Sequence, residues 1–334
     1  MVVLQETGRL TLRLTIAMIV IAVLSVLIRF FARRKTRTKF KLNDAFIVAG
    51  LLSFLGVEIS LLAGIYTSGG TLDESQIKDT SDLINLFKYV YALESFVTTA
   101  ITLIKLSILA LYRDLFPIHK FQTYTLVIGA LCLIWYIICF LINIFQCHPV
   151  KAAWQLDLLM KGEATCLVYG HYIIGYEVSN MLLDIAILAL PIRVLHTLHL
   201  SRPRKIIIGG LFTLGGFIII VCIIRTVYLS DATLQNPVAL YNGLNWTSVE
   251  LAVGILCACI PVYGPLLPTQ RAAQALSKWS SQKQQGKYFT WVFKPSSKYQ
   301  QYDGDSNELA GLSHQQIPEE SSIRQKRISD HSGV

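Results

Sequence analysis

Seven stretches of about twenty to thirty residues carry few charges, and more polar connections separate them. An α-helix rises 1.5 Å per residue, so about twenty residues cross a hydrocarbon core about 30 Å thick. The stretches are Leu10–Phe31, Ala45–Tyr66, Leu83–Tyr112, Thr123–Phe145, Tyr172–Val194, Ile206–Leu229 and Thr247–Leu267. They are apolar all round, whereas helices around a soluble core keep a polar face. Charged residues make up 15% of the chain, against about 25% in ordinary globular proteins. The expected fold is therefore all-α: a polytopic membrane protein with a seven-transmembrane-helix bundle over residues 1–268 and a tail over 269–334. The first stretch reads as a retained helix. It is longer than a signal-peptide core, Arg13 interrupts its start, and Phe-Phe-Ala-Arg-Arg follows it in place of a small-residue cleavage site.

Charge sets the expected orientation. Arg29 to Asp44, "RFFARRKTRTKFKLND", packs seven basic residues into sixteen positions. Such a run in a soluble chain suggests a nucleic-acid patch, but here it is pinned between two spans. The alternate loops fall into two sets. One carries Arg33, Arg34, Lys35, Arg37, Lys39 and Lys41, and then Arg193, Arg202, Arg204 and Lys205. The other carries Asp73, Glu74, Asp79 and Asp82 against Lys78, then Lys151 and Lys161 in Gln146–His171, while Ser230–Trp246 has no Lys or Arg. Basic loops stay cytoplasmic, so the N-terminus is expected outside and the tail inside. The run then marks topology and contacts anionic lipid, and the net charge of +9 needs no nucleic-acid partner. The tail is Ser/Gln-rich, is expected to be disordered, and carries Arg324-Gln-Lys-Arg ahead of Ser329, a basophilic-kinase pattern.

Five of the seven cysteines, Cys132, Cys139, Cys222, Cys257 and Cys259, fall in spans and read as small buried residues. Cys147 and Cys166 share one non-cytoplasmic loop, where an oxidising environment permits a disulfide. Asn245-Trp-Thr is an N-glycosylation sequon, but it abuts the last span.

Ionisable groups within spans are costly and usually face the bundle interior. Glu58, Glu94, Glu177, Arg225 and Glu250 form an outer layer with Lys88 close by; Asp44, Lys105 and Asp184 lie nearer the cytoplasm, with Asn180 between. Glu177, Asn180 and Asp184, at i, i+3 and i+7, share one face, as do Glu94 and Lys105 eleven residues apart. Gly209, Gly210, Gly215 and Gly216 suggest a smooth strip for a close neighbour. The functional reading is a polar cavity opening outward, lined by Glu58, Glu94, Lys105, Glu177, Asn180, Asp184, Arg225 and Glu250, with Arg225 balancing the acids and holding an anionic or hydroxylated ligand. The structural alternative is a set of interhelical ion pairs. No P-loop, GxSxG or HExxH is present, the seventh span has no lysine for a retinal Schiff base, and His196 and His199 read as solvated. No catalytic residue, metal site or cofactor is therefore expected.

The ordered pieces "RFFARR" before "NDAFIVAGLL", "YALESFVTTAITLIKLSILALYRDLFP", "FQCHPVKAAW", "NMLLDIAILALPIRVL", "GGFIIIVCIIRTVYL" and "WTSVELAVGILCACIPVYGPLL" give the chain a specific likeness. It resembles the fungal rhodopsin-domain family of integral membrane proteins, of the satratoxin-cluster type, over nearly all of Leu10–Pro268. The resemblance implies seven helices, a fungal source, no retinal, and accessory proteins of secondary-metabolite gene clusters or surface-sensing receptors. The family's paired acids at the start of the second span are replaced here by Asn43-Asp44. The expected function is a receptor-like or accessory membrane protein with the lipid bilayer, a small-molecule ligand and tail-binding cytoplasmic partners. The alternatives are a membrane-embedded cyclase or isomerase and a transporter.

Overall fold

A computed structural model of the protein describes residues 2–67, 80–167, 169–197, 202–230 and 237–263. The tail with Ser329, the acidic loop residues from Asp73 to Asp79, and His199 lie outside the described residues, as do the side chains of Asp82, Arg193, His196, Arg202, Arg204 and Lys205. Eight helices are described: α1 Val2–Lys35, α2 Leu42–Thr67, α3 Thr80–Leu115, α4 His119–Ile144, the short α5 Leu156–Met160, α6 Tyr169–Thr197, α7 Arg202–Ser230 and α8 Pro237–Tyr263. All but α5 are long and apolar enough to cross a membrane.

The outward faces account for the missing polar stripes. Leu12, Ile16, Val20, Leu24 and Leu27 stand exposed along α1, and Leu126, Val127, Ile134, Ile137 and Ile138 along α4. Such surfaces need hydrocarbon as solvent, and helices satisfy every backbone group within it. This is a multi-pass protein of the lipid bilayer. Inside, Phe54, Val57, Ile104, Leu251 and Ile255 belong to a core in which α2, α3 and α8 meet. Close packing depends on glycine at two points. A Cβ on Gly56 would meet the Phe96 ring at 2.8 Å, and one on Gly243 would meet Leu229 Cδ2 at 2.5 Å. The expected glycine strip on α7 is corrected. Gly215 lies against Leu188, where a Cβ would fall 2.6 Å from Cδ1, but Gly209, Gly210 and Gly216 have nothing within 4 Å.

The connection between α4 and α6 is a built structure. Two-residue strands, β1 Cys147–His148 and β2 Thr165–Cys166, pair antiparallel with Cys147 opposite Cys166. Those two cysteines form the expected disulfide, which closes a loop worth about 3 kcal/mol of chain entropy. The loop is seated by Trp154, whose ring lies edge-on to Tyr91 of α3 at 5.6 Å. Helix α8 begins ten residues before the expected Thr247, and this buries the sequon. Asn245 is 6% exposed within the helix, in line with the poor access expected of a sequon that abuts the last span.

At the opposite end of the bundle, part of the basic run is interior. Arg29 is fully buried. Its Nε donates to Asp44 Oδ1 at 2.9 Å and its Nη1 to the Ala258 carbonyl at 2.7 Å. Pro261 breaks the hydrogen-bond ladder of α8 in that same turn. Arg33 Nε also donates to Asp44 Oδ1, at 2.7 Å, and Tyr263 Oη donates to the Ser25 carbonyl at 2.5 Å. Asn43 shows why an amide suits its position: Oδ1 accepts from Arg33 Nη2 at 2.8 Å while Nδ2 donates to Asp114 Oδ2 at 3.1 Å. A second carboxylate there would face Asp114 with nothing to donate. Breaking a buried pair by removing one partner costs about 3–5 kcal/mol, whereas a partly exposed one is worth much less. Arg29→Ala is therefore expected to lower the unfolding midpoint in detergent far more than Lys41→Ala, which loses only the 3.2 Å surface pair to Asp114. Equal losses would refute this assignment.

A buried ionic cluster beside a tyrosine-lined crevice

Helical spacing turns one stripe of α6 inward, and the structure delivers it to α7 and α8. Glu177 and Asn180 are fully buried, and Arg225 of α7 is 2% exposed. Arg225 Nε donates to Glu177 Oε1 at 2.8 Å, Nη2 reaches the same oxygen, and Nη1 donates to Glu250 Oε2 of α8 at 2.5 Å. The guanidinium also lies over the Tyr176 ring, 6.0 Å from its centroid. A planar cation with five donors suits this position because it meets two carboxylates and an aromatic face at once.

Asn180 joins this group to a second pair. Its Nδ2 donates to Glu250 Oε1 at 3.2 Å, and its backbone carbonyl accepts from Lys105 Nζ at 3.3 Å. Lys105 of α3 forms an ion pair with Asp184. The five charged groups therefore come from four helices, with three carboxylates against two cations. Asp184, Cys222 and Glu250 bring ligand atoms within 4.8 Å of one another. Of these, Asp184 already pairs with Lys105 and Glu250 with Arg225.

A narrow, open crevice with about 50 Å³ of free interior lies beside the cluster. Its apolar wall is Val90, Leu93 and Val97 of α3, Ile173 of α6, Leu229 of α7 and Leu244 of α8. Its polar points are Glu94, Thr98, Tyr172, Tyr176, Arg225 and Thr247. Glu94 accepts a 3.0 Å hydrogen bond from the Asn143 amide of α4, whose oxygen accepts from Ser95. Thr98 and Tyr176 hydroxyls lie 3.3 Å apart. All these positions sit in the half of the bundle nearest the Cys147–Cys166 loop.

Of the eight residues expected around one cavity, Glu94 and Arg225 line the crevice. Glu177, Asn180, Glu250, Lys105 and Asp184 form the ionic network behind it. Glu58 does not join them. It faces Thr15 of α1 and Ser248 of α8, because its place along the chain fixes its depth but not its side of the helix. Sequence reasoning passed over Tyr172, Tyr176, Thr98 and Asn143. The readable signal was Asn143, a lone amide in an otherwise apolar span. Lys105→Met leaves the partly buried Asp184 inside the bundle without its cation and is expected to cost at most about 3–5 kcal/mol of stability, the range for a fully buried pair. The double variant Lys105→Met/Asp184→Asn is expected to recover most of that in detergent unfolding. Failure of the second change to recover any stability would refute the pairing.

Residues 28–269 match the Fungal rhodopsin domain. The chain is 29% identical over 193 residues to the Satratoxin biosynthesis SC1 cluster protein 4 of Stachybotrys chartarum, an alignment covering 58% of this chain and 67% of that protein. It is 30% identical to the Wortmanamides biosynthesis cluster protein C of Talaromyces wortmannii, covering 72% and 66% respectively. A SAT4 family membrane protein of Emericella nidulans is 29% identical, covering 60% of this chain and 48% of that protein. No solved structure shows significant similarity. With seven apolar spanning helices and a domain match across the whole described bundle from α2 onward, the chain belongs to the fungal rhodopsin domain family of multi-pass membrane proteins.

Proposed function

We propose that the protein is a receptor-like or accessory component for a fungal small molecule, held in the crevice between α3, α6, α7 and α8. The carrying observation is the contrast within that crevice, an aliphatic wall ending on Glu94, Arg225 and two tyrosines. Such a site takes a largely apolar molecule with a hydroxyl or carboxyl head group. The body is bound by area and the head by charge-assisted hydrogen bonds. The names of two relatives, a satratoxin and a wortmanamides cluster protein, support a place beside secondary-metabolite production. The loop end is read as non-cytoplasmic, on the basic residues at the other end and the Cys147–Cys166 disulfide. Residues 269–334 then face the cytoplasm, where Arg324, Lys326, Arg327 and Ser329 offer partners a basic, modifiable segment.

A second reading has its own observation. Glu94 presents a carboxyl beside an apolar wall, where a general acid for a cyclisation or isomerisation would sit. Metabolite profiling of a deletion strain separates the two: a lost response with unchanged chemistry fits a receptor, and a precursor that accumulates fits an enzyme. In either case, restoration by Glu94→Gln is expected to be weaker by about tenfold, the loss of one charge-assisted hydrogen bond. Full restoration by a normally inserted Glu94→Gln protein would rule out the crevice as the site.

A further inference from the structure

The basic run between α1 and α2 divides in two by its partners. Arg29 and Arg33 pair with Asp44, and Lys41 pairs with Asp114. Arg34, Lys35, Arg37 and Lys39 are all exposed, and among the described residues none of the four pairs with an acid. Their turn is nevertheless well held. Thr36 N donates to the Ala32 carbonyl at 3.0 Å, Arg37 N to that of Arg34 at 3.2 Å and Thr38 N to that of Arg33 at 3.1 Å. Arg37 takes the left-handed conformation, with φ 52°, where glycine commonly ends a helix. The backbone therefore gives no reason for an arginine at this position.

Asp114 ties a second turn alongside the first. It accepts from Asn43 Nδ2 at 3.1 Å and pairs with Lys41 Nζ at 3.2 Å, and the exposed Arg113 and Lys120 stand at either end of the turn between α3 and α4. Asp44 and Asp114 are both engaged, which leaves six exposed cations over. Apolar side chains indicate the kind of partner. Phe31, Phe40 and Leu42 are 60%, 63% and 65% exposed around the first turn. Phe40 stacks on Phe30 with ring centroids 6.2 Å apart, and Lys35 Nζ lies 5.6 Å from the centre of the Phe31 ring. Aromatic groups beside cations suit the boundary between lipid tails and head groups, where basic side chains reach past apolar ones. A soluble acidic partner would leave these rings in water. Four to eight cations next to a spanning helix attract anionic lipid. A singly charged lipid matches few of these six, whereas a head group with two phosphate monoesters brings about four negative charges.

We propose that these two turns bind the head group of a multiply phosphorylated inositol lipid, separately from the crevice. The guanidinium forks of Arg34 and Arg37 suit phosphate oxygens, and Lys35, Lys39, Arg113 and Lys120 surround them. Native mass spectrometry of the full chain in detergent counts bound lipid directly, and both ends of the bundle are accessible there, so the test does not depend on orientation. One phosphatidylinositol bisphosphate per chain is expected to bind saturably, at least about tenfold more tightly than phosphatidylserine. Arg34→Gln/Arg37→Asn is expected to weaken that binding at least about tenfold; asparagine tolerates the left-handed backbone at 37. Lys151→Gln/Lys161→Gln, in the disulfide loop at the other end, is expected to change nothing. Should the arginine variant not fold, Lys39→Gln/Lys120→Gln serves instead, with a weakening in the same direction. No bound lipid, equal affinity for phosphatidylserine, or affinity unmoved by the variants would each overturn the proposal. Displacement of the lipid by an equal concentration of soluble inositol trisphosphate would also overturn it, since the apolar side chains would then contribute nothing.

Discussion

The guanidinium of Arg225 between Glu177 and Glu250 is the contact on which the rest of the bundle depends. In hydrocarbon, none of the three can stand alone, so each fixes where its helix must go. Helix α6 must turn Glu177 towards α7, and α8 must bring Glu250 to the same point. Asn180 extends the network to Lys105 and Asp184, which adds α3. The network stands or falls as a unit, because removing one partner leaves an unpaired charge inside the bundle. The crevice follows from that arrangement. Its walls belong to the same four helices, and the buried Arg225 and Tyr176 are among the residues that line it.

The other end of the bundle is held by a different cation. Arg29 reaches Asp44 on α2 and the proline-broken turn of α8 at Ala258. Helix α8 is common to both fastenings: Glu250 lies towards the loop end and Ala258 two turns further on. Apolar packing fills the space between, with Leu251 and Ile255 buried on the face between the two points. A single helix therefore carries contacts both to the crevice and to the far end of the bundle.

Much of this was legible in residue patterns. Uncharged runs identified the seven spans, because lipid imposes a length and a composition together. The three-and-four spacing of Glu177, Asn180 and Asp184 put them on one inward face, and Arg225 had to meet acids of that layer. Cys147 and Cys166 could be paired because they share one loop. Other features were hidden for physical reasons. Position along a span gives depth in the membrane but not direction around the bundle, so Glu58 and Glu94 looked like neighbours and are not. Arg29 was masked by the basic run that follows it, although it lies inside the first apolar stretch. Gly215 meets Leu188 while Gly216 meets nothing within 4 Å. That difference depends on which face of α7 meets α6, and glycines mark no face. Asn245 carries a sequon, but whether a helix begins before it depends on packing rather than on three residues.

The most direct test of the account is a double-mutant cycle on Arg225 and Glu177, with Arg225→Met, Glu177→Gln and their combination unfolded under identical conditions in detergent. Side chains in one buried network couple by up to about 3 kcal/mol. The account predicts that each single change destabilises strongly and that the pair loses much less than the sum, with a coupling of at least about 2 kcal/mol. Additive losses would mean that the two residues do not share a contact, and the arrangement of α6, α7 and α8 around Arg225 would be wrong.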